Sequence, residues 1–188
     1  MVITIIAEPR TGSTNLGKWF LNNKEFTVLF EPLNKTSTNY KKGESVYKWK
    51  YNTNHFLIKE IYTPDICLTE LIQFSDKIII LYRENKKEQL ESWLVARETN
   101  NWHVKWSHNM TSVTNGKEKI KYFNSLTNTF KLNYINNPNY FKISYEELYY
   151  SDGFQKIVDY INLDCVKNEN FPQGQKYRMY DSKTKSII

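Results

Sequence analysis

Residues 2–20, VITIIAEPRTGSTNLGKWF, decide how the chain reads. Val2 to Ala7 is a continuous apolar run. Such a run suits a parallel strand buried on both faces, not a half-exposed strand that alternates. The loop after it holds Gly12, which permits tight backbone approach, and Ser13 and Thr14, which bring hydroxyls and helix-start amides. Arg10 adds positive charge. A strand, a glycine loop and a helix in that order make an anion cradle, because the first amides of a helix lack intrahelical acceptors and point outward. The helix is expected from about Ser13 to Asn22, with Leu16, Phe20 and Trp19 as its apolar stripe and Ser13 or Thr14 as its cap.

Working outward, KIIILY (Lys77–Tyr82) reads as a second buried strand, followed by a helix over Lys86–Arg97 with Leu90, Trp93 and Leu94 on one face. Shorter strands are expected at Thr27–Phe30, Phe56–Ile58 and Tyr140–Ser144. Further helices are expected at Asp65–Phe74, Lys117–Asn136 and, capped, at Ser151–Ile161. Residues 31–54 and 99–116 read as long loops, of the length that usually carries function. Alternating strands and helices argue for an α/β fold, a three-layer sandwich around a mainly parallel sheet. The 188 residues fit a single domain, 1–188. Ligands are expected beyond the carboxyl ends of the strands.

Composition narrows the partners. Lys and Arg total 26 against 20 acidic residues, a net charge of +6, which favours an anionic partner. A content of 40% hydrophobic residues excludes wholesale disorder. No run approaches the roughly 18 apolar residues of a membrane span. The start lacks a basic segment and a small-residue cleavage site, so a cytoplasmic location and no membrane partner are expected. Charges are dispersed and no recognition helix or aromatic RNA-binding signature appears, so no nucleic-acid partner is expected. Cys67 and Cys165 fit neither a disulfide framework nor a zinc site and read as two buried thiols in a reducing compartment; no metal is expected. Asn34-Lys35-Thr36 and Asn109-Met110-Thr111 match the glycosylation pattern by chance, given no secretory signal.

Two motif readings compete for the loop. Gly12 to Trp19 nearly satisfies the ATP/GTP pattern G-x-x-x-x-G-K-[ST], which would make the chain a nucleotide kinase or NTPase using magnesium. Its last position is Trp19, however, where the magnesium-binding hydroxyl belongs, and Lys18 would lie a full turn inside the helix. Pro9-Arg10-Thr11-Gly12-Ser13-Thr14 instead resembles the Pro-Arg/Lys-Ser/Thr-Gly-Ser/Thr-Thr loop of the sulfotransferase family. Asn15, where many soluble members have Trp, and Glu8, an acid directly before an anion loop, depart from that pattern. Three further segments resemble the family in its order. Ile78 to Arg83 is followed by a helix with Ser92, nine residues after Arg83. Gln89, Ser92, Ala96 and Trp102 fall as in the bacterial trehalose-type branch. Ile143-Ser144-Tyr145-Glu146-Glu147-Leu148 and Phe30-Glu31-Pro32-Leu33 complete the set.

The resemblance implies a P-loop-NTPase-like sulfotransferase fold and sulfuryl transfer from 3′-phosphoadenosine 5′-phosphosulfate (PAPS) to a small-molecule hydroxyl acceptor, a carbohydrate among the candidates. It gives adenosine 3′,5′-bisphosphate as product. The transferred group carries less charge than a phosphoryl group, so basic side chains replace Mg²⁺. Arg10, Thr11, Gly12, Ser13, Thr14 and Asn15 would hold the 5′-phosphosulfate, and Arg83 and Ser92 the 3′-phosphate. Tyr145 would join the nucleotide site. Lys176 and Arg178, in a basic C-terminal segment, would fold over it. Glu31 would be the base, Arg10 would steady charge on the bridging oxygen, and Lys59 would aid the leaving group. His55, His103 and His108 are the other bases weighed. The acceptor is expected between residues 31–54 and 99–116, among Tyr40, Tyr47, Trp49, Tyr51, Trp102 and Trp106, with Glu31, Trp49, His55, Trp102 and His103 as its contacts. A non-catalytic nucleotide-binding module is a further reading.

Overall fold

A computed structural model describes residues 1–37, 39–41, 44–49, 53–99 and 116–167. Val2–Ala7 forms strand β1, buried at every position. It is the middle strand of a five-stranded sheet made with β2 (Phe26–Phe30), β3 (His55–Ile61), β4 (Lys77–Tyr82) and β5 (Phe141–Ser144). The order is β2-β3-β1-β4-β5, and every pairing is parallel. All five carboxyl ends therefore share one edge.

Period-two alternation splits the sheet into two faces. Ile3, Ile5, Ala7, Leu57, Ile79 and Leu81 face helix α1 (Ser13–Leu21) and helix α6 (Gly153–Ile161), which contribute Leu16, Trp19, Phe20, Phe154, Ile157 and Val158. Val2, Ile6, Phe56, Ile58 and Ile80 face helix α2 (Thr69–Phe74) and helix α4 (Gly116–Phe130), through Leu71, Leu126 and Phe130. Burying each such side chain is worth about 1.5–3 kcal/mol. Thr4 is the polar exception in β1; its hydroxyl lies 2.5 Å from that of Ser75, which keeps the buried group satisfied. Gly17 lets α1 lie close on the sheet, since a Cβ there would stand 2.6 Å from the Phe30 ring.

Helix α3 (Lys86–Thr99) follows β4, and α5 (Tyr145–Tyr150) and α7 (Asp164–Lys167) are short. Several expectations are corrected. Strand β3 runs His55–Ile61, not Phe56–Ile58, because Lys59 and Glu60 are buried within it. Helix α2 begins only at Thr69. The helix expected from Lys117 to Asn136 changes to a π-helical turn at Lys131–Ile135. The cap expected on the Ser151–Ile161 helix is not made, since α6 starts at Gly153 and Asp152 gives it no side-chain cap, whereas Ser144 and Glu147 form a capping box at the start of α5. Gly12, and neither Ser13 nor Thr14, is the N-cap of α1. Cys67 is exposed and Cys165 half-buried, so neither is a fully buried thiol.

Candidate functional site

The loop from β1 to α1 is held by Glu8, which is fully buried. Its Oε2 accepts from the Arg83 backbone N–H at 3.2 Å, from Lys86 Nζ at 2.5 Å and from Gln89 Nε2 at 3.2 Å. Gln89 Nε2 also donates to the Pro9 carbonyl at 2.8 Å. Glu8 thus ties the first loop to the start of α3 and supplies the negative charge that Lys86 needs. Thr11, also buried, turns its hydroxyl back onto the Glu8 carbonyl at 2.8 Å. Its hydroxyl is therefore engaged within the loop.

The backbone then turns sharply. Arg10 has φ 64° and Gly12 has φ 73°. Left-handed backbone is free for glycine, whereas a non-glycine residue held there stores strain of about 1–3 kcal/mol, a feature that clusters at functional sites. The Tyr149 hydroxyl donates to the Gly12 carbonyl at 2.8 Å. Its ring lies so close that a Cβ on Gly12 would stand 2.7 Å away. Gly12→Ala is therefore expected to displace Tyr149 and destabilise the fold by about 1–3 kcal/mol, measurable by urea unfolding.

Arg10, Arg83 and Ser92 meet here. Arg10 Nε donates to Ser92 Oγ at 2.7 Å across 82 residues of sequence. Arg83 NH1 reaches the Arg10 carbonyl at 3.5 Å. Burial, and then the charge of Arg83, lowers the Arg10 guanidinium's pKa below its ordinary value, while Tyr145 acts the other way. Two guanidinium groups at one strand edge favour an anion between them. Arg83 NH2 pairs with Glu88 at 2.6 Å, its Nε lies 3.7 Å from Glu146, and its Cζ sits 4.6 Å from the centre of the Tyr145 ring. Burial raises the Tyr145 phenol, with Arg83 opposing.

A second cluster closes β2 and β3. Glu31 has φ 52°, and its N–H donates to the Lys59 carbonyl at 2.6 Å. Lys59 Nζ forms an ion pair with Glu31 Oε1, and Asn34 Nδ2 donates to Glu31 Oε2 at 3.0 Å. Glu60, on the opposite face of β3, accepts from Leu33 N–H at 2.9 Å and Ile61 N–H at 3.1 Å. Burial lowers the Lys59 ammonium, with Glu31 opposing. Burial pushes the Glu60 carboxyl up to about 7. Strand β2 stands two strands from β1, roughly 10 Å away. Both clusters therefore open on one edge.

The chain superposes on mouse sulfotransferase SULT7A1, solved in complex with PAP, with a TM-score of 0.58 and 15% identity over 86% of this chain. The fold is sulfotransferase-like. The matched region is 58% of the mouse sulfotransferase. No protein-family profile and no curated protein matches the chain.

On this sulfotransferase-like fold the expected residues separate. Arg10, Gly12, Ser13, Thr14, Asn15, Arg83 and Ser92 lie in the segments that follow β1 and β4, Tyr145 directly follows β5, and Glu31 and Lys59 lie at the β2 and β3 ends. His55 does not join them. It opens β3 at the opposite edge, a strand length of roughly 20 Å away. Trp49 is not an acceptor platform, because its ring is buried with Phe56, Ile58 and Tyr62. Trp19 packs against Phe20 and Phe154 inside the core, and Lys18 is exposed on α1. Neither can serve the NTPase pattern. Trp102, His103, Trp106, His108, Tyr51, Lys176 and Arg178 lie outside the described residues. Sequence reasoning missed the roles of Glu8, Lys86, Glu88, Tyr149 and Glu60. Only the i, i+3 spacing of Lys86 and Gln89 hinted that one helix face turns toward the loop. Among the described residues, no group of three or more His, Cys, Asp or Glu could hold a metal, and no helix is long and apolar enough to cross a membrane.

Proposed function

We propose that the chain is a PAPS-dependent sulfotransferase acting on a small-molecule hydroxyl acceptor without a metal. The observation that carries this is the meeting of Arg10, Ser92 and Arg83 at the edge where α1 begins. They supply two cationic anchors and a hydroxyl for a nucleotide phosphorylated at both ends. Arg83 recognises the 3′-phosphate through its planar fork. The α1 amides and Arg10 hold the 5′-phosphosulfate.

PAPS supplies an activated sulfuryl group when bound. The acceptor oxygen forms the new O–S bond in line as the bond to the bridging phosphate oxygen breaks. Glu31 takes the acceptor's proton on a carboxylate oxygen, and Arg10 faces the charge gathering on the leaving phosphate. Lys59 orients Glu31 and adds positive charge on the same side. Exposed Cys67 suits a reducing, cytoplasmic setting.

Arg83→Ala is expected to weaken adenosine 3′,5′-bisphosphate by about 1–3 kcal/mol, the loss of a charged hydrogen-bond partner, read by calorimetry. Unchanged affinity would remove Arg83 from the nucleotide site. A labelled-sulfate screen against sugars, phenols, lipids and peptides tests transfer itself; no labelled product from any class would leave a binding module only.

A further inference from the structure

The surroundings of Arg83 are not those of a guanidinium waiting for one phosphate. Three carboxylates stand near the two arginines, and they are held differently. Glu8 is fully buried and accepts three N–H groups, so it cannot leave. Glu146 accepts from the backbone N–H groups of Glu84 at 2.9 Å and Asn85 at 3.1 Å and is fixed by them. Glu88 differs from both. Its side chain is 48% exposed, and its Oε2 takes Arg83 NH2 at 2.6 Å. Arg83 itself is only 8% exposed. Its buried Nε has no hydrogen-bond partner among the described residues and faces Glu146 from 3.7 Å, too far to bond.

We infer that Glu88 is a competing counter-ion built into the nucleotide site: its carboxylate holds Arg83 until the 3′-phosphate of the nucleotide displaces it. This rests on the sulfotransferase reading. Count the charges at this end of the site: Arg10, Arg83 and Lys86 stand against Glu8, Glu88 and Glu146. The carboxylates in contact already match the cations, and Glu84 adds a further one beside Arg83. A phosphate arriving at Arg83 would meet a repelling carboxylate unless one of the three withdraws, and Glu88, the most exposed and the one that no backbone N–H holds, is the one placed to do so. Once it swings out, the phosphate takes both NH2 and the unserved Nε, a fork-to-fork pairing that one Glu88 oxygen does not provide. A nucleotide without a 3′-phosphate offers nothing to exchange, so Glu88 keeps Arg83. Glu88 therefore weakens only nucleotides that carry a 3′-phosphate, and its removal widens their margin over a nucleotide without one.

The test is calorimetry of wild type, Glu88→Gln and Glu88→Ala with two probes, adenosine 3′,5′-bisphosphate and adenosine 5′-phosphate, at low and raised salt. Both variants are expected to bind the bisphosphate about two- to fivefold more tightly than wild type, what an ion pair with one half-exposed partner is worth. The gain should shrink as salt rises, and 5′-phosphate affinity should move by less than about twofold. Equal or weaker bisphosphate binding in both variants overturns the inference and makes Glu88 an orienting partner of Arg83. An equal gain for both probes overturns it too, since the effect would then be general charge. Wild type that fails to bind the bisphosphate at all overturns the sulfotransferase reading and this inference with it. Bisphosphate binding that Glu88 does not modulate sinks this inference alone.

Discussion

Glu31→Gln should lower sulfuryl transfer by about 10²–10⁴-fold, the usual contribution of a positioned general base. Affinity for adenosine 3′,5′-bisphosphate should stay within about twofold of wild type, because the Glu31 cluster closes β2 and β3 while the nucleotide residues follow β1 and β4. The amide keeps the shape and still accepts the Lys59 ammonium, so the buried lysine is not orphaned. Glutamine is for that reason the informative substitution and alanine is not: removing one partner of a buried ion pair costs about 3–5 kcal/mol and would confound rate with stability. Single-turnover transfer of labelled sulfate reads the chemistry directly. Wild-type-like turnover would remove Glu31 as the base and pass the role to a histidine outside the described residues.

Folding stability should fall as pH rises from about 4.5 to 7 through one carboxyl, Glu60. Its folded value of about 7 lies above the ordinary 4.5 because it is buried. In that window the native state holds a proton that the unfolded chain releases, so the group's contribution is largest below the lower value and is lost through the upper one. One pKa difference of this size corresponds to about 3 kcal/mol. Glu147 and Asp152 have lowered values and work in the opposite direction at more acid pH. The difference between wild type and Glu60→Gln isolates the term. Urea midpoints at pH 5 and pH 8 should diverge in wild type and converge in the variant. Parallel pH dependence in both would show that Glu60 is already ionised in the folded protein. Glu60 also accepts Leu33 N–H, two residues past Glu31; that bond favours the ionised carboxylate, so it is burial that holds the proton.

Much of the frame was legible because it rests on local signals. VITIIA and KIIILY announce buried parallel strands by apolarity alone. The anion loop announces itself by the order strand, glycine, helix. Arg83 and Ser92 could be named because the segment resembles the strand-end Arg and following helix Ser of the sulfotransferase family. Charged residues buried by distant partners were not legible. Lys59 and Glu60 look like the polar end of a short strand, yet β3 runs through them, because Glu31 and two backbone amides supply what water would have supplied. Glu8 looked misplaced before an anion loop until Lys86 and Gln89, far away in sequence, appeared around it. Trp49 was read as a platform because its loop is polar, but the ring is drawn into the core beneath. His55 shows the same limit: a residue's number says it flanks a strand, and only strand direction says which end of the sheet it occupies.

The central place of β1 has a consequence for how the protein is made. Its neighbours β3 and β4 begin at His55 and Lys77, so an apolar segment emerges from the ribosome long before either flank exists to cover it. Parallel pairing between segments so far apart in sequence folds slowly, since chain closure must come before any contact rewards it. During that delay VITIIA carries no charge and no proline, the composition of a segment that sticks to its own copies. Yield in a foreign host should therefore depend on chaperones and on slow, cool synthesis more than on final stability. The soluble handle for improving it lies on the exposed faces of α3 and α4, not in the central strand.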